Sequence, residues 1–237
     1  MEATQLQVHL ADQNSQLNFF TKFFWHRFRS DSVIRYLRKY SGTSSVVDIG
    51  AGAGVFGIHL KKAVPEAQYF FIEPIPSLQA SLSARFGSSA ALDSSSSFQQ
   101  SSFVMLDVLE HIDDDHGYLS DLKTKMPSGS LLIVTCPASM LLWSKWDVQM
   151  GHCRRYSRKG LVDLFRDVGF DLLESKYMFH AFVLPAYLRT KKEVIGPEFP
   201  RLSVFLNSAV YWYCKFENVF SRWLPFGTSI LVVVRKP

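Results

Sequence analysis

The sequence predicts an α/β protein whose mostly parallel sheet is covered by helices on both faces. Three observations carry this expectation. Short β-rich runs alternate with helical patterns from Val46 onward, the rhythm of crossover units that build parallel sheets. The first of these runs, VVDIG, leads into AGAG and then a helical pattern. Strand, glycine loop and helix in that order form a cradle for the phosphate or sugar parts of a nucleotide. A chain of 237 residues, 47% hydrophobic and 14% aromatic, can bury one large core, so one domain over 1–237 is expected.

Residues 1–41 read as a helical cap. Phe20, Phe24 and Phe28 recur at helical spacing, with Phe19, Phe23 and Trp25 widening the apolar face. The cofactor-binding core follows over 42–179. Val46–Ile49 is the first strand, and Gly57–Ala63 is a helix ended by Pro65. Gln68–Glu73 is the second strand, with a helix near Ser77–Phe86. The serine-rich stretch at 88–102 reads as a weak strand and a loop. Phe103–Asp107, Ser130–Cys136 and Phe170–Met178 are further strands. Helices at His116–Lys125 and Arg158–Val168 separate them, the latter closed by Gly169. An apolar helical insertion occupies 180–226, and Ile230–Arg235, within the closing segment 227–237, is the last strand. This gives seven strands.

Composition narrows the function. A net charge of +5 and a pI near 9.1 fall short of a nucleic-acid-binding surface, and no basic stripe or base-flipping motif is present. Cys136, Cys153 and Cys214 have no metal-binding spacing, and their odd number suits reduced thiols in a cytoplasmic protein. No secretory leader is visible. The charge-free run between Arg201 and Lys215 is shorter than the ~20 residues that span a bilayer.

The glycine loop has the form GxGxG at Gly50, Gly52 and Gly54, not the GxGxxG of a dinucleotide site. Glu73 ends the next strand, 25 residues after Asp48, where a carboxylate can accept both hydroxyls of a ribose. VMLDVLEHIDDD at 104–115 then places Asp107, Glu110 and His111 in the crevice beyond the strand ends. Taken together, VDIGAGAG, Glu73 and LDVLEHI resemble class I S-adenosylmethionine-dependent methyltransferases. FFWHRFRSDSVIRYL, LLWSKWDVQMGHCRRYSRKGL and LPFGTSILVVVRKP are similar to segments of a bacterial group within that family, so the resemblance spans nearly the whole chain.

The resemblance implies a Rossmann-like fold with an antiparallel last strand, S-adenosyl-L-methionine as cofactor, and a set of residue roles. Asp48 and the backbone of Gly50, Ala51, Gly52 and Gly54 would hold the methionine end, Glu73 the ribose and Asp93 the adenine. Asp107 would line the methionine side. Two of them also have a plainer reading: Asp48 caps a glycine turn, and Glu73 is a solvated carboxylate beside Pro74 and Pro76. Trp25 and Arg27 either close over the cofactor or pack the cap. The connection WDVQMGHCRRYS concentrates ring, acid, imidazole and guanidinium groups, and loops carry function. From it, Trp143, Arg154, Arg155 and Tyr156 are candidates for acceptor binding. His152 is the first candidate base and His111 the second, with a loop-bracing role as the alternative for His111. Asp113–Asp115 read as a solvated helix start. Asp113 and His116 offer too few converging oxygens for a hard cation, so no metal is expected.

The insertion carries a heavy apolar load, including Leu184, Leu188, Phe205, Trp212 and Trp223, beside Arg189, Lys191, Lys192 and Arg201. Core packing, a lid, a dimer face and peripheral membrane contact are all compatible with it. The acceptor is expected to be a small molecule or a sugar- or lipid-linked compound. Two rival functions suit the same residues: an NAD(P)-dependent oxidoreductase, and a cofactor-binding module without turnover.

Overall fold

β1 (Ser45–Ile49) lies between β2 (Gln68–Ile72) and β3 (Ser102–Leu106) and is parallel to both. β3 continues in parallel to β4 (Leu131–Pro137). β6 (Ser229–Arg235) then inserts antiparallel between β4 and β5 (Asp171–Met178), completing the order β2-β1-β3-β4-β6-β5. This arrangement comes from a computed structural model, which describes residues 16–41, 44–191, 202–221 and 223–237. Expectations placed on 1–15, Lys192 and Arg201 lie outside those residues.

The alternation of each strand divides the core in two. Val46, Phe71, Val104, Ile133, Leu231 and Val233 face one side, where they meet Phe24, Phe28, Val33 and Leu37 of α2 (Phe24–Tyr40) and Leu60 of α3 (Val55–Ala63). A short turn of helix, α1 (Leu17–Phe20), precedes α2. Val47, Phe103, Met105, Leu132, Val134 and Val232 face the other side. There they meet Leu119 and Leu122 of α5 (Asp115–Lys125) and Leu161 and Phe165 of α7 (Arg158–Asp167). The Leu161–Phe165 spacing puts both side chains on one face of α7. Ser157 caps that helix by accepting from Gly160 N at 3.0 Å. Each fully buried Leu or Phe contributes about 1.5–3 kcal/mol.

Among the described residues the sheet has six strands rather than the expected seven. α4 (Pro76–Phe86) is followed by a single 3₁₀ turn, Ser88–Ala90. The serine-rich stretch after it supplies one parallel bridge, Ala91 to Phe71. Serine side chains give a strand no apolar face to bury, so pairing stops after one residue. A short helix not foreseen from the sequence, α6 (Lys145–Met150), sits in the connection after β4. The described part of the insertion is helical, as α8 (Val183–Lys191) and α9 (Val204–Glu217).

Because β1 to β4 are parallel, their carboxyl ends share one edge, where open α/β sheets bind ligands. The opposite half of the sheet carries an unusual buried cation. Lys176 on β5 is only 5% exposed and donates to Asn218 Oδ1 beyond α9. Burial, helped by Arg35, lowers its pKa to about 7. An unfolded chain therefore binds more protons between about pH 7 and the ordinary lysine range, and stability rises with pH across that window. Lys176→Met should remove this slope, worth on the order of 4 kcal/mol. Thermal denaturation should show the variant's advantage at pH 7 shrinking towards pH 10; a constant difference between the two proteins would refute the assignment.

Candidate functional site

A cavity of about 450 Å³ opens at the carboxyl edge of β1 to β4. Gly50, Ala51, Gly52 and Ala53 of the glycine loop line it, whereas Gly54 lies behind them at the start of α3. Gly50, Gly52 and Gly54 have φ of 69°, 56° and 76°, values that L side chains rarely adopt. A Cβ at Gly50 would come within 2.6 Å of Val108, and one at Gly54 within 2.6 Å of Leu82. Gly54 also caps α3, whose N-terminus points at the loop.

Three carboxylates predicted from the sequence meet here. Asp48 is 2% exposed and accepts from Tyr69 Oη at 2.8 Å. Burial raises its pKa to about 7, against the opposing effect of the tyrosine bond. Glu73 accepts from Gly52 N at 2.7 Å and Ile75 N at 2.9 Å, so it ties the glycine loop to the end of β2. Burial raises its pKa too, and those two amides work against the rise. Asp107 has φ of 57°, a left-handed conformation that Asp tolerates better than most residues. It accepts from Thr135 Oγ1 at 2.9 Å and pairs with Arg29.

Arg29 occupies the place that the sequence suggests for Arg27. Residues 25 and 29 are one helical turn apart and share a face, whereas residue 27 points away. Trp25 and Arg29 both line the cavity. The Arg27 guanidinium instead lies 4.0 Å over the Tyr211 ring of α9, outside the cavity. Trp25 stacks on Phe179, with ring centroids 3.6 Å apart and planes 6° from parallel. Phe179 is fully buried at φ of 59°, a strained geometry for an aromatic residue that its packing holds in place.

The connection after β4 supplies the far wall. Its backbone is pinned by Tyr156 N to Pro137 O at 3.0 Å, Ser139 N to Tyr156 O at 2.7 Å and Cys153 N to Glu110 O at 2.7 Å. Those bonds carry His152 to His111, whose rings meet edge to face with centroids 4.7 Å apart. Asp147, wholly buried, organises the loop. It accepts from Arg155 Nε at 2.7 Å and Nη2 at 2.9 Å, from Ser144 N at 2.8 Å, and pairs with His152 Nδ1 at 2.8 Å. Burial pushes this carboxyl up, but His152 and Arg155 outweigh burial and hold it at about 2. His111 is driven down to about 4 by burial and by His152, so it is neutral at physiological pH. Glu110 is 0% exposed, and burial, with Asp107 nearby, raises its pKa well above the usual range.

Several predicted residues do not reach the cavity. Asp93 is exposed, with its carboxylate accepting from Ser95 N at 2.9 Å and Ser95 Oγ at 2.6 Å in a local turn. Without a third strand to carry it inward, it lies away from the cleft, and Ile75 and Val108 line the cavity on that side. Trp146, not Trp143, lines the wall. In the extended run 154–156 alternate side chains point to opposite sides. Arg155 points inward to Asp147. Arg154 Nη1 at 2.8 Å and Tyr156 Oη at 2.7 Å both donate to Asp115 at the start of α5. Arg154 and Tyr156 are therefore braces, and Arg155 is a buried clamp at the cavity wall.

Comparison with known proteins agrees with this geometry. A family profile described as a methyltransferase domain matches residues 24–175. Among solved structures, the methyltransferase bound to the Trm112 activator of Haloferax volcanii has a TM-score of 0.61 at 15% identity. The alignment covers 98% of this chain and 96% of that one. An S-adenosylmethionine-dependent methyltransferase from Thermotoga maritima has a TM-score of 0.57 at 19% identity, covering 98% and 100% of the two chains. Phosphoethanolamine N-methyltransferase 2 of Haemonchus contortus, in complex with S-adenosyl-L-methionine, has a TM-score of 0.56 at 13% identity, covering 87% and 52%. At these identities the likeness establishes the fold, a Rossmann-like class I methyltransferase sheet. No curated protein sequence matches the chain.

The two arginine pairs of the loop should differ sharply when broken. Asp147→Ala leaves the Arg155 guanidinium buried beside an empty position and should cost about 3–5 kcal/mol. Arg154→Ala, on the rim, should cost about 1 kcal/mol or less. Urea denaturation of both variants checks this ranking, and equal losses would contradict it.

Proposed function

This chain belongs to the methyltransferase-domain family, and we propose that it moves a methyl group from S-adenosylmethionine to an oxygen or nitrogen of a small-molecule, sugar-linked or lipid-linked acceptor. The observation that carries the reading is the cradle itself. A loop that admits no Cβ at Gly50 is tied through Gly52 N to the buried Glu73 carboxylate at the end of the neighbouring strand, and both line the cavity. The close backbone leaves room for a ligand edge, and the carboxylate suits a diol. The donor fits these residues. Glu73 would hold the ribose hydroxyls, the backbone of Gly50 to Gly52 the methionine end, and Asp48 and Asp107 its ammonium side. The bound donor would supply an electrophilic methyl on a sulfonium: an acceptor atom would bond to that carbon as its bond to sulfur breaks, with the thioether leaving in line. The solved relative with S-adenosylmethionine bound supports this choice.

The chain's own residues do the rest. Trp25, held flat on Phe179, and Arg29, held by Asp107, wall the donor from solvent. Asp147 fixes the His152 ring by engaging Nδ1, which leaves Nε2 to act. His152 and the neutral His111 mark the acceptor end and ease the proton off the acceptor. Both line the cavity together with Asp107.

An apolar acceptor is supported by two features. Phe19, Phe20 and Phe23 line the cavity mouth. Beside them the insertion exposes Phe205 at 85%, Trp212 at 65%, Phe216 at 64% and Trp223 at 81%. That is far from core packing. Aromatic residues next to Arg189, Lys191 and Lys215 suit an interfacial position on an anionic bilayer. No helix among the described residues is long and apolar enough to cross a membrane.

Calorimetric titration with S-adenosylmethionine, S-adenosylhomocysteine and NAD tests the donor. The first two should bind and NAD should not, and Glu73→Gln should weaken binding about 10-fold or more, the worth of a charge-assisted bond pair. Binding of NAD alone would turn the assignment to an oxidoreductase. Sedimentation with phosphatidylserine-containing vesicles tests the surface. Wild type should pellet with them, and a Phe205→Glu, Trp223→Glu double variant should stay in the supernatant. Wild-type protein that never pellets would remove the membrane contact.

A further inference from the structure

We propose that Glu110, His111 and His152 form a binding site for a single divalent transition-metal ion at the acceptor end of the cavity. One ligand atom from each residue lies within 4.8 Å of the other two. Ligands around one zinc ion stand roughly 3–4 Å apart, given bonds of about 2.0–2.2 Å. Small side-chain rotations close that difference.

The polar atoms of these three residues are those that a cation would satisfy. Glu110 is fully buried, and neither carboxyl oxygen accepts a hydrogen bond. Ionised, it is a buried charge with no cation hydrogen-bonded to it; protonated, it is a buried hydroxyl without an acceptor. Each state is costly. The nearby guanidinium groups are engaged elsewhere, Arg29 by Asp107 and Arg155 by Asp147. The Nδ1 of His111 is likewise buried without a partner. His152 contributes the third feature. Asp147 engages its Nδ1 at 2.8 Å, which orients the ring and leaves Nε2 as the lone-pair nitrogen. A carboxylate behind a ligating histidine is the usual outer-shell support of a metal centre.

The donor set defines the class of ion. Two imidazoles and one carboxylate suit Zn²⁺, Co²⁺, Mn²⁺ or Fe²⁺, whereas Mg²⁺ and Ca²⁺ favour oxygen alone. All three residues line the cavity, so the remaining coordination positions face the space where an acceptor would sit. The role of the ion rests on the methyltransferase reading and sharpens it. The ion binds an oxygen of the acceptor and holds it in place, and it lowers the pKa of a hydroxyl bound there. With the ion bound, the two imidazoles act as its ligands and the hydroxyl proton passes to solvent water; without it, His152 and His111 are the proton acceptors. The acceptor class is an oxygen-bearing compound, such as a hydroxyl beside a second oxygen donor.

Equilibrium dialysis of the full chain against Zn²⁺, with metal counted by atomic emission, and the visible absorption of a Co²⁺ complex test the site. Wild type should take up a single ion and show the bands of a nitrogen-ligated Co²⁺ centre of low symmetry. Glu110→Gln and His152→Gln, both close in volume, should each lose more affinity than the roughly 10–100-fold that removal of an outer partner costs. Circular dichroism identifies a variant that has not folded, in which case His111→Gln takes its place. No uptake by the wild type, or equal uptake by folded variants, would overturn the proposal. S-adenosylmethionine titration of the same samples reports on the donor site separately: its affinity should be unchanged in the variants, and its failure in the wild type would fault the donor reading alone.

Discussion

Three carboxylates end, or nearly end, three neighbouring parallel strands, and they cannot share one buried edge unless each finds its own partner. Like charges held close in a medium of low polarity repel strongly. Asp48 takes a tyrosine hydroxyl, Glu73 takes two backbone amides, and Asp107 takes an arginine and a threonine. The partners differ in what they leave behind. Burial raises the Asp48 pKa to about 7, and the tyrosine bond offsets only part of that rise. The amides fix Glu73 without adding charge. The arginine cancels Asp107 and brings the N-terminal helix with it. Much of the surrounding architecture follows, because Arg29 reaches Asp107 only if α2 packs across the sheet with Trp25 on the same face.

How much of this was legible follows from the kind of signal each residue gives. A glycine that must be left-handed is visible as a glycine, so Gly50, Gly52 and Gly54 could be placed from the sequence. Glu73 and Asp107 were legible because a strand end is marked by where its β-formers stop. Arg29 was harder to see, since α2 carries several arginines within a few turns. Helical spacing from Trp25 selects position 29 over 27, once Trp25 is known to face the cavity. The same reasoning sorts Arg155 from Arg154 and Tyr156, but only if 154–156 is recognised as extended. The backbone bonds that make it so come from Pro137 and Ser139, distant in sequence. Asp93 shows the reverse case, where position along the chain suggested a site but the strand required to deliver it never formed.

Asp147 does for the acceptor side what the strand ends do for the donor side. Its pKa is held at about 2 in a buried position because arginine, histidine and serine all converge on it. That convergence leaves Asp147 with little capacity for chemistry of its own. What it contributes is orientation: the imidazole of His152 is held by its Nδ1, and Arg155 is immobilised against the wall. Hydrogen bonds of this kind lock the rotamers of a reacting group and its neighbours, which a loop otherwise leaves loose.

The exposed insertion is coupled to this site through a short physical path. Asn207 on α9 accepts from Phe24 N at 2.8 Å and donates to Lys22 O at 2.8 Å, so α9 grips the start of α2 from both sides. Phe24 in turn stacks on Phe182, and Trp25 on Phe179. The apolar face of α9 and the aromatic wall of the cavity are therefore two ends of one packed unit, and Phe179 already holds a left-handed backbone within it. A surface that covers the exposed face of α9 would press on the helix that positions Trp25 and Arg29. The phenylalanine-rich part of the cavity wall, Phe19, Phe20 and Phe23, lies beside the segment that Asn207 of α9 holds in place.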